Sequence, residues 1–284
     1  MNRMIWICLT ASVLGASEID TPSLGWMWDS STKSIRRIAG LPGSLRNESG
    51  PQLPEQVVDA WVSPNAMQWV VALPDNRLAR RFKDAETTDE ISGSKPEQVL
   101  FSPDGRLTAL WWESEGKVAL WGQASQQVAA KAIHLENDGE FVLLEKDGLL
   151  KTSAGNWIGS FGPEAQFAIR GGRLIVAAPG AFIVFERSAN EWKQVGRHEF
   201  ESIPAFRQIA IESADSVLAV GVEGQLGRWQ ISNGSSDSIA SSGVDRLKPL
   251  QQAGFYIAEG ENSQLLFALS QGQKLYSMPA PEVR

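Results

Sequence analysis

The fold is decided by residues 99–112, whose sequence is VLFSPDGRLTALWW. Two apolar runs flank a Ser-Pro-Asp-Gly turn, in which proline suits the first central position and Gly105 tolerates a positive φ. Two more short apolar runs follow, at residues 117–121 and 127–133. The stretch therefore predicts four consecutive β-strands within about 35 residues, which is close to the length of one blade of a β-propeller.

The same unit recurs along the chain, with a turn pair followed by an apolar run at intervals of 33 to 43 residues. The turn pairs are at 65–66, 104–105, 138–139, 171–172, 214–215 and 253–254. The run after each pair is almost continuously apolar, as expected for a strand packed on both faces. The sequence therefore predicts an all-β protein with a single β-propeller of four-stranded blades.

The number of blades depends on the first module. Residues 25–38 form a predicted hairpin that matches the second half of a blade, and six full modules follow it. Because a closed ring removes exposed strand edges, we predict seven blades, one of them irregular. The alternative is six blades, with the N-terminal hairpin packed on the last one.

The first hairpin also carries a family resemblance. Residues 26–29, WMWD, followed by Thr32, Ile35 and Ile38, resemble the repeat of YVTN-type and WD40-like bacterial propellers. The turn at residues 102–105 is similar to the SPDG turn of WD40-like and TolB-like propellers. The resemblance implies a propeller, and such folds host many unrelated functions.

The N-terminus predicts export. A short positive segment with Arg3 precedes an apolar stretch at residues 4–14, and small residues follow at 15–17. This is the layout of a secretory signal peptide, so we expect a leader at residues 1–17 and a propeller domain at 18–284. Cys8, the single cysteine, lies inside the leader and lacks the small preceding residue of a lipoprotein site. We therefore expect a periplasmic or extracellular protein without a stable membrane anchor or disulfide.

Charge excludes one class of partner. The net charge is −7, and the longest basic runs are pairs, Arg36-Arg37 and Arg80-Arg81. Binding to a phosphate backbone needs a basic patch, so we expect no nucleic-acid partner. We also expect a monomer.

The residues that carry chemistry are few and scattered. His134 and His198 stand apart, with no second histidine or carboxylate at metal-ligand spacing. Trp111-Trp112-Glu113 is interpreted as strand packing, since one ring faces each side of a strand. Residues 269–276 are similar to part of a quinoprotein repeat, but the repeat's aspartate and threonine are missing. We predict no metal and no cofactor, and the catalytic residues of any activity stay unidentified.

Two functions fit this pattern. The first is an exported, non-catalytic scaffold that binds a protein or a surface polymer through loops, with residues 47–55 and 83–96 as the first candidates. The alternative is a propeller enzyme acting on a glycan or a lactone-like substrate in the central channel. Carboxylates converging on His134 or His198 would favour the enzyme.

Overall fold

The computed structural model describes residues 23–277, except 31, 41–45, 55, 86, 190, 202, 241–242, 250–254, 261–262 and 269–273. The predicted leader lies outside the described residues. In the part described, β-strands form seven antiparallel sheets. A 3-10 turn at Pro74–Asn76 is the one helical element among the described residues.

The N-terminal sheet has three strands and each of the other six has four. The N-terminal sheet consists of β1 (Ser23–Asp29), β2 (Ser34–Ala39) and β3 (Arg46–Ser49). The first three blades are blade 1, β4 (Asp59–Val62), β5 (Gln68–Leu73), β6 (Arg77–Phe82) and β7 (Asp89–Ser92); blade 2, β8 (Gln98–Phe101), β9 (Thr108–Trp112), β10 (Lys117–Leu120) and β11 (Gln126–Gln127); and blade 3, β12 (Ala130–Leu135), β13 (Phe141–Glu145), β14 (Leu149–Thr152) and β15 (Trp157–Ser160).

The last three blades continue the same up-and-down order along the chain. They are blade 4, β16 (Gln166–Arg170), β17 (Arg173–Ala178), β18 (Ala181–Ser188) and β19 (Glu191–Glu199); blade 5, β20 (Phe206–Ile211), β21 (Ser216–Gly221), β22 (Leu226–Gln230) and β23 (Ser236–Ala240); and blade 6, β24 (Arg246–Pro249), β25 (Phe255–Gly260), β26 (Ser263–Ala268) and β27 (Lys274–Ser277).

The first strands of consecutive sheets lie at the centre of the ring. β12 contacts β8 on one side and β16 on the other, and β20 likewise contacts β16 and β24. β1 contacts β4 in the same way. The fourth strands therefore lie outermost, and this is the geometry of a β-propeller.

The core lies between neighbouring blades. In β17, Leu174 and Val176 pack towards blade 3, while Ile175 and Ala177 pack towards blade 5. Side chains alternate across a strand, so a strand covered on both faces is apolar throughout. This explains the continuous apolar runs, and all six predicted runs are second strands of blades.

Several sequence predictions need correction. Six four-stranded blades are present, so the preference for seven is wrong and the alternative of six is confirmed. The N-terminal segment forms a separate sheet of three strands, in the order β1, β2, β3, and has no fourth strand among the described residues. Its hairpin takes the inner positions, with β1 beside β4, rather than the second half of a blade. Among the described residues its packing partners lie in blade 1.

The sequence also failed to predict the positions of several outermost strands. Residues 127–133 are not the fourth strand of blade 2, since that strand is β11 and residues 130–135 begin blade 3. The segments 47–55 and 83–96, predicted as loops, contain parts of β3 and β7. Outermost strands have one covered edge and few apolar residues, so their sequences resemble loops.

Buried polar side chains join adjacent blades. The Gln68 amide is fully buried and donates to the carbonyl oxygens of Gly105, at 2.8 Å, and Leu107, at 3.2 Å. Its oxygen accepts the Thr108 hydroxyl at 2.7 Å. Blade 1 is thereby tied to the turn that the sequence singled out in blade 2.

Replacing Gln68 by leucine is expected to lower the free energy of unfolding by about 2 kcal/mol, because buried polar partners are left without hydrogen bonds. Chemical denaturation measures the change. Gln194→Leu, on the exposed outer strand β19, is the matched control and should change stability by less than about 0.5 kcal/mol. Equal losses of unfolding free energy in the two variants would contradict a stabilising role for the hydrogen bonds between Gln68 and blade 2.

Candidate functional site: a groove between two blades

One cavity in the described part of the chain is a groove between blades 1 and 2, and a second, smaller cavity lies between blades 4 and 5. The volume of the groove is about 380 Å³. One wall is formed by the end of β7, at residues 91–94, and the opposite wall by residues 122–125. The full lining comprises Ile91, Ser92, Gly93, Ser94, Leu110, Trp112, Lys117, Ala119, Leu120, Gly122, Gln123 and Ser125. The volume falls in the lower range of small-molecule and side-chain pockets.

The groove is open because the outer edge of blade 2 has no large apolar side chains. β11 is two residues long and pairs only with Lys117 and Val118. The segment 122–127, Gly-Gln-Ala-Ser-Gln-Gln, is exposed throughout. Its small and polar residues cannot cover the apolar surface of β9 and β10, so a space remains beside blade 1.

The floor of the groove is apolar and rigidly held. Leu110, Trp112 and Ala119 are buried in the cluster between blades 1 and 2. The Trp112 indole N–H donates to the Ser94 carbonyl at 3.1 Å, which joins the floor to the wall at residues 91–94. The Lys117 ammonium lies 5.2 Å from the centre of the Trp112 ring and is also ion-paired with Glu115.

Carboxylates lie beside the Lys117 end of the groove, although none of them belongs to its lining. Trp112 and Lys117 flank the turn at residues 113–116, which carries Glu113 and Glu115. Glu97 reaches this turn and accepts a hydrogen bond from the Ser114 hydroxyl. That hydrogen bond lowers the pKa of Glu97, although partial burial opposes it. The rim therefore carries net negative charge.

The groove overlaps one of the two segments that the sequence offered as binding candidates. Residues 91–94 belong to the predicted binding segment 83–96, whereas no residue of segment 47–55 lines either cavity. The floor was not foreseen, because Leu110 and Ala119 look like ordinary core residues. A usable signal was present in segment 122–127, where a polar stretch replaces the expected apolar fourth strand.

The two tryptophans of β9 pack as predicted. Trp111 belongs to the cluster between blades 2 and 3, and Trp112 belongs to the cluster between blades 1 and 2. Glu113 follows them as an exposed residue of the next turn. The interpretation of this stretch as strand packing is therefore confirmed.

The histidines are not brought together. His198 lies on the outermost strand of blade 4, while His134 lies on the innermost strand of blade 3 and faces blade 4. The Nε2 atom of His134 is buried, lacks a hydrogen-bond partner and lies 3.6 Å from a Glu136 oxygen. Among the described residues, no group of three or more His, Cys, Asp or Glu is placed to hold a metal ion.

An arginine from blade 4 forms an ion pair with Glu136, the residue beside His134. Arg187 forms ion pairs with Glu136 at 2.9 Å and Asp138 at 2.7 Å, and lies 3.6 Å from Glu140. Burial raises the pKa of Glu136, although the charge of Arg187 opposes the rise. Neither cavity is lined by His134 or Glu136. The cluster therefore serves as a closed contact between blades.

Burial lowers the pKa of His134 from its ordinary 6.5 to about 4. The unfolded chain then binds a proton more readily than the folded protein between these values, so stability is lost as the pH falls from about 6.5 to about 4. We expect the loss to be about 1–3 kcal/mol, reduced by the quarter of the side chain that is exposed.

The measurement is urea denaturation of the protein and of His134→Leu at pH 7.5, 5.5 and 4.5. Glu136 and Arg187 are common to both proteins, so the difference between the two curves isolates the histidine. The free energy of unfolding of the unaltered protein, relative to that of His134→Leu, should decrease as the pH falls. Parallel pH dependences would show that His134 does not titrate in this range.

Comparison with known proteins gives the fold. No family model matches the chain, and no curated protein matches it. The C-terminal WD40 domain of Sif2 superposes with a TM-score of 0.54 at 12% identity, over 90% of this chain and 86% of that domain. The fold is a WD40-like β-propeller.

Two further structures agree. Hsv2 of Kluyveromyces lactis gives a TM-score of 0.52 at 12% identity, over 80% of this chain and 84% of Hsv2. The computationally designed Ika8 protein gives 0.50 at 13% identity, over 90% of this chain and 86% of Ika8. At such identities the likeness concerns the fold alone, and the groove must supply the argument about function.

In the described residues no helix is both long and apolar enough to cross a bilayer.

Proposed function

We propose that this protein is an exported, non-catalytic WD40-like propeller that binds a protein or a surface polymer in the groove between blades 1 and 2. The observation that carries the proposal is the groove itself, with its volume of about 380 Å³ and its floor of Leu110, Trp112 and Ala119. A preformed apolar depression with a polar rim is the usual form of a recognition site.

The composition of the groove favours binding over catalysis. Lys117 is the one titratable residue in its lining, and its ammonium is engaged by Glu115 and by the Trp112 ring. General acid–base chemistry needs a proton donor and acceptor within reach of the substrate. The enzyme alternative, with a glycan or lactone-like substrate in the central channel, needs a cluster of acids or a histidine with acids that converge there. Glu136, the carboxylate beside His134, is instead ion-paired with Arg187.

Export is the second part of the proposal. It is supported by the apolar segment at residues 4–14 and the small residues after it. The repeat at residues 26–38 likewise supports kinship with exported YVTN-type propellers. Intact-mass measurement of the protein from its native cells tests the export step. Removal of residues 1–17 is the expected result, and a full-length intracellular chain would contradict export.

The groove can be filled without straining the backbone. A Cβ at Gly93 would meet no atom within 4 Å, and Gly93 is outside the left-handed region of φ. Its N–H donates to the Asn76 carbonyl at 2.8 Å, and a leucine keeps that bond. Gly93→Leu should therefore place an isobutyl group in the groove of a normally folded protein.

We expect Gly93→Leu to weaken partner binding at least about thirtyfold, which corresponds to about 2 kcal/mol. Affinity purification from native cells, quantified by mass spectrometry, compares this variant with the unaltered protein. Ser160→Leu, which adds the same side chain on the exposed strand β15, is the control. A partner retained equally by all three proteins would refute the groove as its site.

A further inference from the structure

We infer that the groove recognises an extended protein segment in which an apolar side chain is flanked by lysine or arginine. This inference rests on the proposed function and names the class of partner for the same site. It combines the apolar floor with the carboxylates at the rim, which together fit neither a neutral polymer nor an acidic one.

A peptide fits the floor better than a sugar. Carbohydrate recognition commonly uses an exposed aromatic face, but Trp112 is only 8% exposed and Lys117 lies over its ring. Its indole N–H is also committed to Ser94. What remains accessible in the groove includes the half-buried Ile91 and Leu120 beside polar groups of residues 92–94 and 122–125. Such a mixed surface suits a peptide, whose aliphatic or aromatic side chain packs on the apolar part while its backbone meets the polar part.

Charge complementarity predicts which residues flank that apolar side chain in the bound segment. Glu97, Glu113 and Glu115 lie at the turn next to the groove residue Lys117, and Lys117 balances only Glu115. Glu97 is held in place by the Ser114 hydroxyl. Neither Glu97 nor Glu113 forms an ion pair with the described residues. A cation two or three residues from the buried side chain would therefore meet these carboxylates, of which Glu97 is held in place.

The same charges exclude other occupants. An acidic peptide or an anionic polysaccharide would bring like charges together at the rim, and this juxtaposition is unfavourable. The negative net charge of the whole chain acts in the same direction over longer distances. Association should consequently weaken as salt is added.

The test uses the full protein and three fluorescein-labelled peptides of seven residues. The first carries leucine and phenylalanine between lysines. The second has glutamates in place of the lysines, and the third has serines in place of leucine and phenylalanine. Fluorescence anisotropy at 50 and 300 mM salt measures binding. We expect the first peptide to bind at least about tenfold more tightly than either of the others.

Variants of the protein separate the contribution of the apolar groove from that of the carboxylates beside it. Gly93→Leu should abolish binding of the first peptide, and Glu97→Gln with Glu113→Gln should weaken it about tenfold and flatten its salt dependence. Glu191→Gln with Glu201→Gln, both exposed on blade 4 and its following loop, should leave binding unchanged. Equal binding of the lysine and glutamate peptides, or no binding of the first peptide, overturns the inference.

The failures of the two proposals are distinguishable. If Gly93→Leu removes the native partner but the lysine peptide does not bind, the groove is a binding site and the partner class is wrong. If cellohexaose, used as a neutral glycan probe, binds the protein and is lost in Gly93→Leu, the occupant is a polymer instead. If Gly93→Leu leaves both partner and probes bound, the proposed function fails as well.

Discussion

Replacing Phe182 by alanine is expected to lower the free energy of unfolding by about 3–5 kcal/mol, the usual cost of removing a large buried ring. Phe182 is fully buried between blades 4 and 5. Its ring centre lies 6.3 Å from Phe200, 6.4 Å from Phe206 and 6.4 Å from Trp229. The surrounding sheets are fixed by their hydrogen bonds and cannot close the cavity.

Guanidinium denaturation followed by tryptophan fluorescence measures this loss. Val195→Ala removes an apolar side chain that is 55% exposed on β19, so it should cost less than about 0.5 kcal/mol. A loss below about 1 kcal/mol for Phe182→Ala would mean that the interface between blades 4 and 5 is not packed as described.

Replacing Arg187 by methionine is expected to cost about 3–5 kcal/mol, because it leaves the buried Glu136 without its counter-charge. Glu136 is about one-tenth exposed and already has a raised pKa. The loss should be largest near neutral pH, where the carboxylate must carry its charge. Methionine preserves most of the packing beside Trp192, whose ring centre lies 6.0 Å from the guanidinium.

A second substitution separates charge from packing. Adding Glu136→Gln to Arg187→Met should recover most of the lost stability, because no buried charge then remains uncompensated. Arg197→Met breaks the exposed pair with Glu199 and should cost under about 1 kcal/mol. If the double variant is no more stable than Arg187→Met alone, the ion pairs are not the source of the effect.

The sequence predicted those parts of the fold that depend on local patterns. The turn at residues 102–105 and the apolar run after it define a hairpin, and Gly105 has the expected positive φ of 66°. Gly139, in the predicted turn pair 138–139, also has a positive φ, of 87°. The second strand of every blade was found because a strand covered on both faces must be apolar throughout.

The remaining features depend on contacts between distant segments. β3 and β7 contain few apolar residues, so nothing local distinguished them from loops. Glu136 and Arg187 are 51 residues apart in the chain and meet only when blades 3 and 4 pack together. The groove arises in the same way, because residues 91–94 and 122–125 become opposite walls only in the folded ring.

Photo-cross-linking from inside the groove tests the proposed function most directly. A benzoylphenylalanine at Gln123, an exposed groove residue, is compared with one at Lys193 on the outer strand β19. We predict a discrete adduct from position 123 in native cells, none from position 193, and loss of the adduct when Gly93→Leu is added. The same adducts from both positions, or an adduct from position 123 that persists with Gly93→Leu, would contradict the groove as the binding site.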